Sequence, residues 1–385
     1  MEIQLTDAIW ENTQGFFALP SISKDGRFAY FVYQINADGV DTKAVELFAI
    51  NSGKFVSLAT FNILPGDVFF SSLSGFANDD FTQFTFLRTN LEDGAAGLYR
   101  LDTLRYDGTP NLQIISTVVK SAHVTGYTPF GANYVSNGKY IVVTAVVEDY
   151  PTYQVSAMWL FDANLTVKQI LTYQEVFTTE THAFTQCSRD YFIIASAGGK
   201  LDFTDPESVW KPPFSLNVFE VSNGLIYRVT GISIPQGSFS CNVYEDPCGA
   251  LISVGTFLAL AQNDVAIPKA TEFNQSATPD ESELRIYRFL GNALQLQKTY
   301  DYDSTVDSVF INKQLMIHSV NAGPYVENAS SFFTIQSRTT CAPNFSRPVN
   351  DSPFFVSSED GSVLLVGSSS RPDYNNNLLL YSVRS

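Results

Sequence analysis

Ser23-Lys24-Asp25-Gly26-Arg27-Phe28-Ala29-Tyr30-Phe31-Val32 is the stretch on which the reading of this chain turns. Asp-Gly supplies the positive φ of a tight hairpin turn, and the apolar, β-prone run behind it reads as a strand. Upstream, Phe16 to Ile22 is a short apolar strand. Downstream come a polar loop (Asn36 to Lys43), a third strand (Val45 to Ile50), an Asn51-Ser52-Gly53-Lys54 turn and a fourth strand (Phe55 to Phe61). The expected unit is a four-stranded antiparallel meander.

The unit recurs. Its first turn returns at Asn78-Asp79-Asp80, Ser136-Asn137-Gly138-Lys139, Ser188-Arg189-Asp190, Glu245-Asp246-Pro247, Asn312-Lys313 and Ser358-Glu359-Asp360-Gly361. Third strands return at 97–102, 157–162, 216–221, 284–289, 331–335 and 378–383. Successive turns lie roughly 50–60 residues apart, a spacing that points to radially repeated sheets. The last copy stops after its third strand, whereas Ile3 to Trp10 is a spare apolar segment ahead of the first copy. Pairing of Ile3–Trp10 with Leu378–Val383 would complete the last sheet and remove an open edge.

Ser-x-Asp-Gly-Arg followed by apolar residues, with a looser copy in Ser357-Ser358-Glu359-Asp360-Gly361-Ser362-Val363-Leu364-Leu365-Val366, resembles the repeat of TolB-, YVTN- and WD40-like β-propellers. The Gly-His and Trp-Asp pairs of WD40 repeats are absent. The resemblance implies an all-β chain folded as a single seven-bladed β-propeller of four-stranded antiparallel blades, with the N-terminal strand completing the last blade. One domain, 1–385, is expected, with blades at approximately 12–62, 68–119, 125–174, 181–234, 237–302, 304–349, and 351–385 plus 2–10. A fold-level likeness carries no function across.

Composition agrees. Hydrophobic residues are 45% and aromatics 14%, with 31 Phe and 19 Tyr, enough for a large β-rich interior. The 39 Asp+Glu against 23 Lys+Arg give a net charge of −16, which repels phosphate backbones and argues against nucleic acid as a partner. It also keeps a Phe-rich protein soluble. No apolar run approaches the roughly 18 residues of a membrane span. The start, Met1 to Asp7, lacks the features of a signal peptide, which points to the cytoplasm, with an extracellular or particle-surface location as the alternative. Oligomeric state cannot be read from the residues.

Propeller geometry, taken from the resemblance, puts the connections between second and third strands, and between blades, on one face. That set carries Glu148, Asp149, Tyr150, Asp202, Asp205, Glu207, Trp210, Asp280, Glu281, Tyr325 and Tyr374. An acidic face with aromatic tips suits a protein, peptide or glycan partner. The opposite face mixes signs, with Lys24, Lys54, Arg105, Lys139, Arg189 and Lys313 among its acids. Two long connections, Ala197–Ser215 and Ala261–Glu283, belong to the first face and exceed ordinary loop lengths.

Enzyme chemistry finds little support. The histidines are His123, His182 and His318, and neither His-x-His nor His-Glu-x-x-His spacing occurs. Gly-x-Ser-x-Gly, Gly-x-Gly-x-x-Gly and P-loop motifs are absent. Asp301, Asp303 and Asp307 stand at positions one, three and seven of an expected loop between blades, where calcium is the cation to consider; no other cofactor is expected. A solvated acidic loop is the competing reading. Cys241 and Cys248 flank the expected first hairpin of blade five and could pair as a disulfide or remain buried thiols. The expectation is a non-catalytic binding or assembly scaffold; the alternative is a lactonase-like or other metal-dependent small-molecule hydrolase with a site at the central channel.

Overall fold

The computed structural model describes residues 2–11, 16–37, 40–63, 67–68, 76–77, 81–90, 98–121, 127–135, 139–149, 152–173, 176–177, 182–186, 188–197, 201–202, 214–234, 259–261, 264–270, 282–302, 306–311, 315–320, 331–337, 343–349, 353–358, 360–368 and 376–384. Among these residues all regular structure is β, in seven antiparallel sheets of four or five strands. The chain divides into two compact units, residues 1–121 with 310–319 and 330–385, and residues 122–309 with 320–329.

In the first unit, Phe16–Ile22, Phe28–Ala37, Val40–Asn51 and Lys54–Ile63 form one sheet in chain order. The hairpin of its middle strands is longer than expected: Asn36 pairs with Asp41 and Ala37 with Val40, so most of the expected polar loop is ladder. Tyr33, Ile35, Val40 and Thr42 are β-prone, and backbone pairing is indifferent to the polar residues between them. A second sheet has the order Gln113–Ser121, Leu98–Arg105, Gln83–Asn90, Asp67–Val68, with Phe76–Ala77 also on Gln83–Asn90. It reaches its neighbour through Pro110–Leu112. The Thr60 amide donates to the Pro110 carbonyl at 3.0 Å, and the Leu112 amide donates to the Thr60 carbonyl at 3.2 Å.

The last sheet of this unit has the order Glu2–Glu11, Asn376–Arg384, Val363–Ser368, Pro353–Ser357. The expected pairing of the N-terminal strand is present, with Ile3 opposite Val383 and Ile9 opposite Leu378, and Thr6 bulges out of register. Tyr30, Leu47 and Phe84 are fully buried in one apolar cluster, while Phe31, Leu365 and Leu380 are buried in another that joins the first and last sheets. Each such side chain contributes about 1.5–3 kcal/mol by leaving water.

In the second unit, Tyr127–Val135, Tyr140–Asp149, Thr152–Asp162 and Val167–Tyr173 form a sheet in chain order. The next has the order Val176–Phe177, Arg189–Ala197, Phe214–Ser222, Leu225–Ile234, with His182–Gln186 also on Arg189–Ala197. Their core includes Met158, Leu160 and Ile194, with Phe192 stacked on Phe219 at 5.1 Å.

A third sheet, Ala259–Ala261, Asp264–Ala270, Ser282–Phe289 and Leu294–Tyr302, corrects the sequence reading. Ala259–Ala261 pairs with the start of Asp264–Ala270, and Asp264–Ala270 is a strand inside what was expected to be the loop Ala261–Glu283; the expected turn Glu245–Pro247 lies outside the described residues. Pro268, a residue disfavoured in strands, stands in this strand opposite Leu284. The remaining sheet is formed in chain order by Val306–Ile311, Leu315–Val320, Ser331–Ser337 and Pro343–Val349.

Candidate functional site

The acidic connections are described chiefly through their backbone. Tyr140–Asp149 and Thr152–Asp162 run up to a short hairpin in which Glu148 faces Tyr153 and Asp149 faces Thr152. Leu201–Asp202, from the connection between the second and third strands of the next sheet, pairs on the other side of the same strand: Asp202 with Thr152 and Leu201 with Tyr153. Asp149 and Asp202, 53 positions apart in sequence, therefore flank Thr152 in adjacent ladders. At the usual strand separation their backbones lie roughly 10 Å apart. Nothing local in the sequence marks Leu201–Asp202 as a strand or Thr152 as its partner.

Tyr150, Asp205, Glu207, Trp210, Asp280, Glu281, Tyr325 and Tyr374 lie outside the described residues, as do Cys241 and Cys248. Of the suggested calcium loop, Asp301 is in the strand Leu294–Tyr302 opposite Glu283, and Asp307 is in Val306–Ile311; Asp303 lies outside the described residues. Two of the three residues thus stand on strand backbone, Asp301 in the ladder with Ser282–Phe289 and Asp307 in the first strand of the following sheet. Among the described residues no group of three His, Cys, Asp or Glu could hold a metal ion. His182 opens the strand His182–Gln186 opposite Ile193, and His318 is inside Leu315–Val320.

At the opposite ends of the sheets, where first meets second strand and third meets fourth, several turns are described with their side chains, and Asp25, Asp162, Glu220 and Asp360 are engaged there. In the first turn the buried Ser23 hydroxyl donates to Asp25 Oδ1 at 2.7 Å and accepts from the Phe28 and Arg27 amides at 2.9 and 3.1 Å. The Gly26 amide donates to the Ser23 carbonyl at 2.9 Å, and Gly26 has φ 70°. Ser358 repeats this arrangement: its hydroxyl donates to Asp360 at 2.7 Å and accepts from the Val363 amide at 3.1 Å, and the Gly361 amide donates to the Ser358 carbonyl at 3.0 Å. The turns pack together, since a Cβ on Gly26 would stand 2.9 Å from Val363 Cγ2.

Burial opposes ionisation of Asp25, but hydrogen bonds from Ser23 and Arg27 and the Arg27 charge hold its carboxyl below the ordinary range. Asp360 behaves alike: burial raises it, and the Ser362 amide with the Ser358 and Ser362 hydroxyls lowers it further. At Asp162 burial is outweighed by Lys168, 2.9 Å away, and by the Thr166 and Asn164 amides. Arg189 lies 3.6 Å from Glu220. These four acids shape turns and pair with neighbours, so the charge they carry is structural.

Two further polar contacts join neighbouring outer strands, and sequence reasoning did not find them. Asp7 Oδ2, on the N-terminal strand, accepts from the Phe55 amide at 2.8 Å. Gln169 Oε1, on Val167–Tyr173, accepts from the Ile226 amide at 2.6 Å. Phe55 and Ile226 each follow by two positions a left-handed pair, Ser52-Gly53 and Asn223-Gly224.

No protein-family model and no curated protein matches the sequence. Solved structures do match. The WD40 domain of Neurospora crassa Pan2 is 9% identical, with all of this chain and 96% of that one covered at a TM-score of 0.56. Sqt1 of Saccharomyces cerevisiae is 8% identical, with both chains fully covered at 0.51. The propeller domain of the Trilobed protease from Pyrococcus furiosus, described as having an open velcro topology, is 9% identical over 97% of this chain and 95% of that one at 0.50. Identities this low speak for the fold alone. Along its whole length the chain resembles β-propellers, and its all-β repeated sheets are of that fold.

Proposed function

We propose that the chain is a non-catalytic scaffold, a seven-bladed propeller closed by its N-terminal strand, that holds a basic protein or peptide partner on the acidic, aromatic-rich ends of its second-to-third-strand connections. The observation that carries this reading is the meeting of Asp149 and Asp202 on either side of Thr152, which joins two acid-bearing connections from neighbouring sheets. The net charge of −16 favours a basic partner. At the opposite ends, Asp25, Asp162 and Asp360 are engaged within their own turns and Glu220 pairs with Arg189 across its sheet, which leaves those ends less to offer a partner.

The test is affinity capture from an extract of the source organism, with bound proteins identified by mass spectrometry and compared across variants. Charge reversal at Asp202, Asp205, Glu207, Asp280 and Glu281 should abolish capture of a partner that the parent chain holds, with the melting temperature unchanged. Glu220→Gln, at the other end, should leave capture intact. Equal loss from both would refute the choice of surface. Asp360 is unsuitable as a control because its carboxylate builds a turn.

A further inference from the structure

We propose that Glu2–Glu11 is a releasable closing strand, and that the slot it fills on Asn376–Arg384 accepts the same segment from a second copy of the chain. Its hold is mostly backbone: nine residue pairs in an antiparallel ladder broken by the bulge at Thr6. Of its described side chains, residues 2–8, only Ile3 and Ala8 pack on the neighbouring apolar cluster, and only as partly buried residues at its margin. Leu5 is 39% exposed. The cluster joining the first and last sheets, around Phe31, Leu365 and Leu380, includes none of those side chains. Among its described side chains the strand is therefore held by its ladder and by contacts at the margin of one cluster, and not by insertion into the core.

Specificity comes from two polar contacts at the bulge. The Thr6 hydroxyl donates to the Leu380 carbonyl at 3.1 Å, and Asp7 accepts from the Phe55 amide. A cleft of about 340 Å³ bordered by Thr6, Ile50, Gly53, Leu380 and Val383 lies beside them and gives water access beneath the strand. Once the strand leaves, Asn376–Arg384 becomes an edge with free backbone groups, over Leu378, Leu380 and Tyr381, which are already buried. Such an edge selects an extended segment by register and alternate side chains. Every other copy of this chain carries a segment that fits by construction, so exchange between identical copies is the occupant the geometry favours.

The experiment uses the full chain with a protease recognition sequence inserted between Glu11 and Phe16. After cleavage, the folded body should keep its circular dichroism and take up a fluorescent peptide of residues 1–11 saturably. A peptide carrying Thr6→Val and Asp7→Ala should bind about ten-fold or more weakly, as expected for the loss of two hydrogen bonds. In parallel, two uncut populations carrying donor and acceptor dyes are incubated together at high concentration, where energy transfer in a dimer fraction should report strands exchanged between copies. Unfolding on cleavage would overturn the proposal, because the body is held to stand without the strand. Equal binding of parent, substituted and scrambled peptides would overturn the register argument. Peptide uptake by the cut protein without any mixed dimer of the uncut one would overturn exchange between copies.

Discussion

The junction of the last and first sheets and the junction of the sheets spanning residues 127–173 and 176–234 solve one problem with different chain connectivity. In both, a fourth strand leaves a left-handed turn with an outward amide, Phe55 or Ile226, and the outer strand of the preceding sheet supplies an oxygen to it. At the inner junction the accepting oxygen belongs to Gln169, on a strand continuous with its own sheet. At the outer junction it is Asp7, on a strand contributed from the far end of the chain. Both junctions thus place an acceptor at the register of the outward amide, a carboxylate oxygen in one and an amide oxygen in the other. The continuous strand is anchored by its hairpin with Thr152–Asp162, whereas the N-terminal one depends on its ladder and its two polar contacts.

The largest expected effect tests whether both junctions rest on equally well-packed aromatics. Phe31→Ala behind the outer junction and Phe219→Ala behind the inner one should each destabilise by about 3–5 kcal/mol in denaturant titrations, since both side chains are buried to 1% exposure. A much smaller cost at Phe31 would mean that the outer junction is loosely packed and the comparison fails.

Next come the turns. Ser23→Ala removes the partner of two amides and Ser358→Ala that of one, each with a hydrogen bond to the turn carboxylate, and a loss of about 1–3 kcal/mol is expected for each. Thermal melts of the two variants should agree closely, because the arrangements do. A neutral effect at either one would show that the repeated geometry is incidental there.

The acceptors themselves should matter less. Asp7→Ala and Gln169→Ala should each cost about 1 kcal/mol and speed hydrogen exchange of the Phe55 and Ile226 amides respectively. Exchange should rise further across 2–11 in the Asp7 variant, but not across 167–173 in the Gln169 variant. Identical spreading in both would erase the distinction between a tethered and a donated strand.

The smallest effect is on acid stability. Asp25, Asp162 and Asp360 have carboxyl groups held below their ordinary range, so their folded values lie below the unfolded value of about 3.9. Their contribution is complete above that value and is lost as pH falls through the lower folded values. Melting temperature should be flat above about pH 5 and should drop below about pH 4. In Asp360→Asn the drop should be shallower. An unchanged profile would show that the turn carboxylates do not couple to folding.

Legibility in the sequence followed the range of the interaction. The Ser23 and Ser358 turns could be read because their chemistry is closed within six residues, and the third strands because alternation is local. The N-terminal strand was legible as a remainder, a segment left without a partner. The strand Asp264–Ala270 was hidden inside an expected loop because Pro268 is poor strand chemistry, while cross-strand pairing with Ser282–Phe289 settles it. Thr152 meeting Asp202 is invisible locally, since two-residue ladders carry no periodicity. Asp7 and Gln169 were hidden for a related reason: side chains that accept from a neighbouring sheet have no pattern of their own.

The bridge from Pro110–Leu112 to Thr60 bears on how the protein behaves in a crowded solution. Lys54–Ile63 is an outer strand with Val56 43% exposed, the kind of edge along which chains stack into insoluble ribbons. By occupying both the amide and the carbonyl of Thr60, the connection parks a proline-led segment where another molecule would begin to add. Shortening 107–112 would leave the first sheet folded yet give it a propagating edge, and the first sign would be turbidity at concentrations the parent protein tolerates.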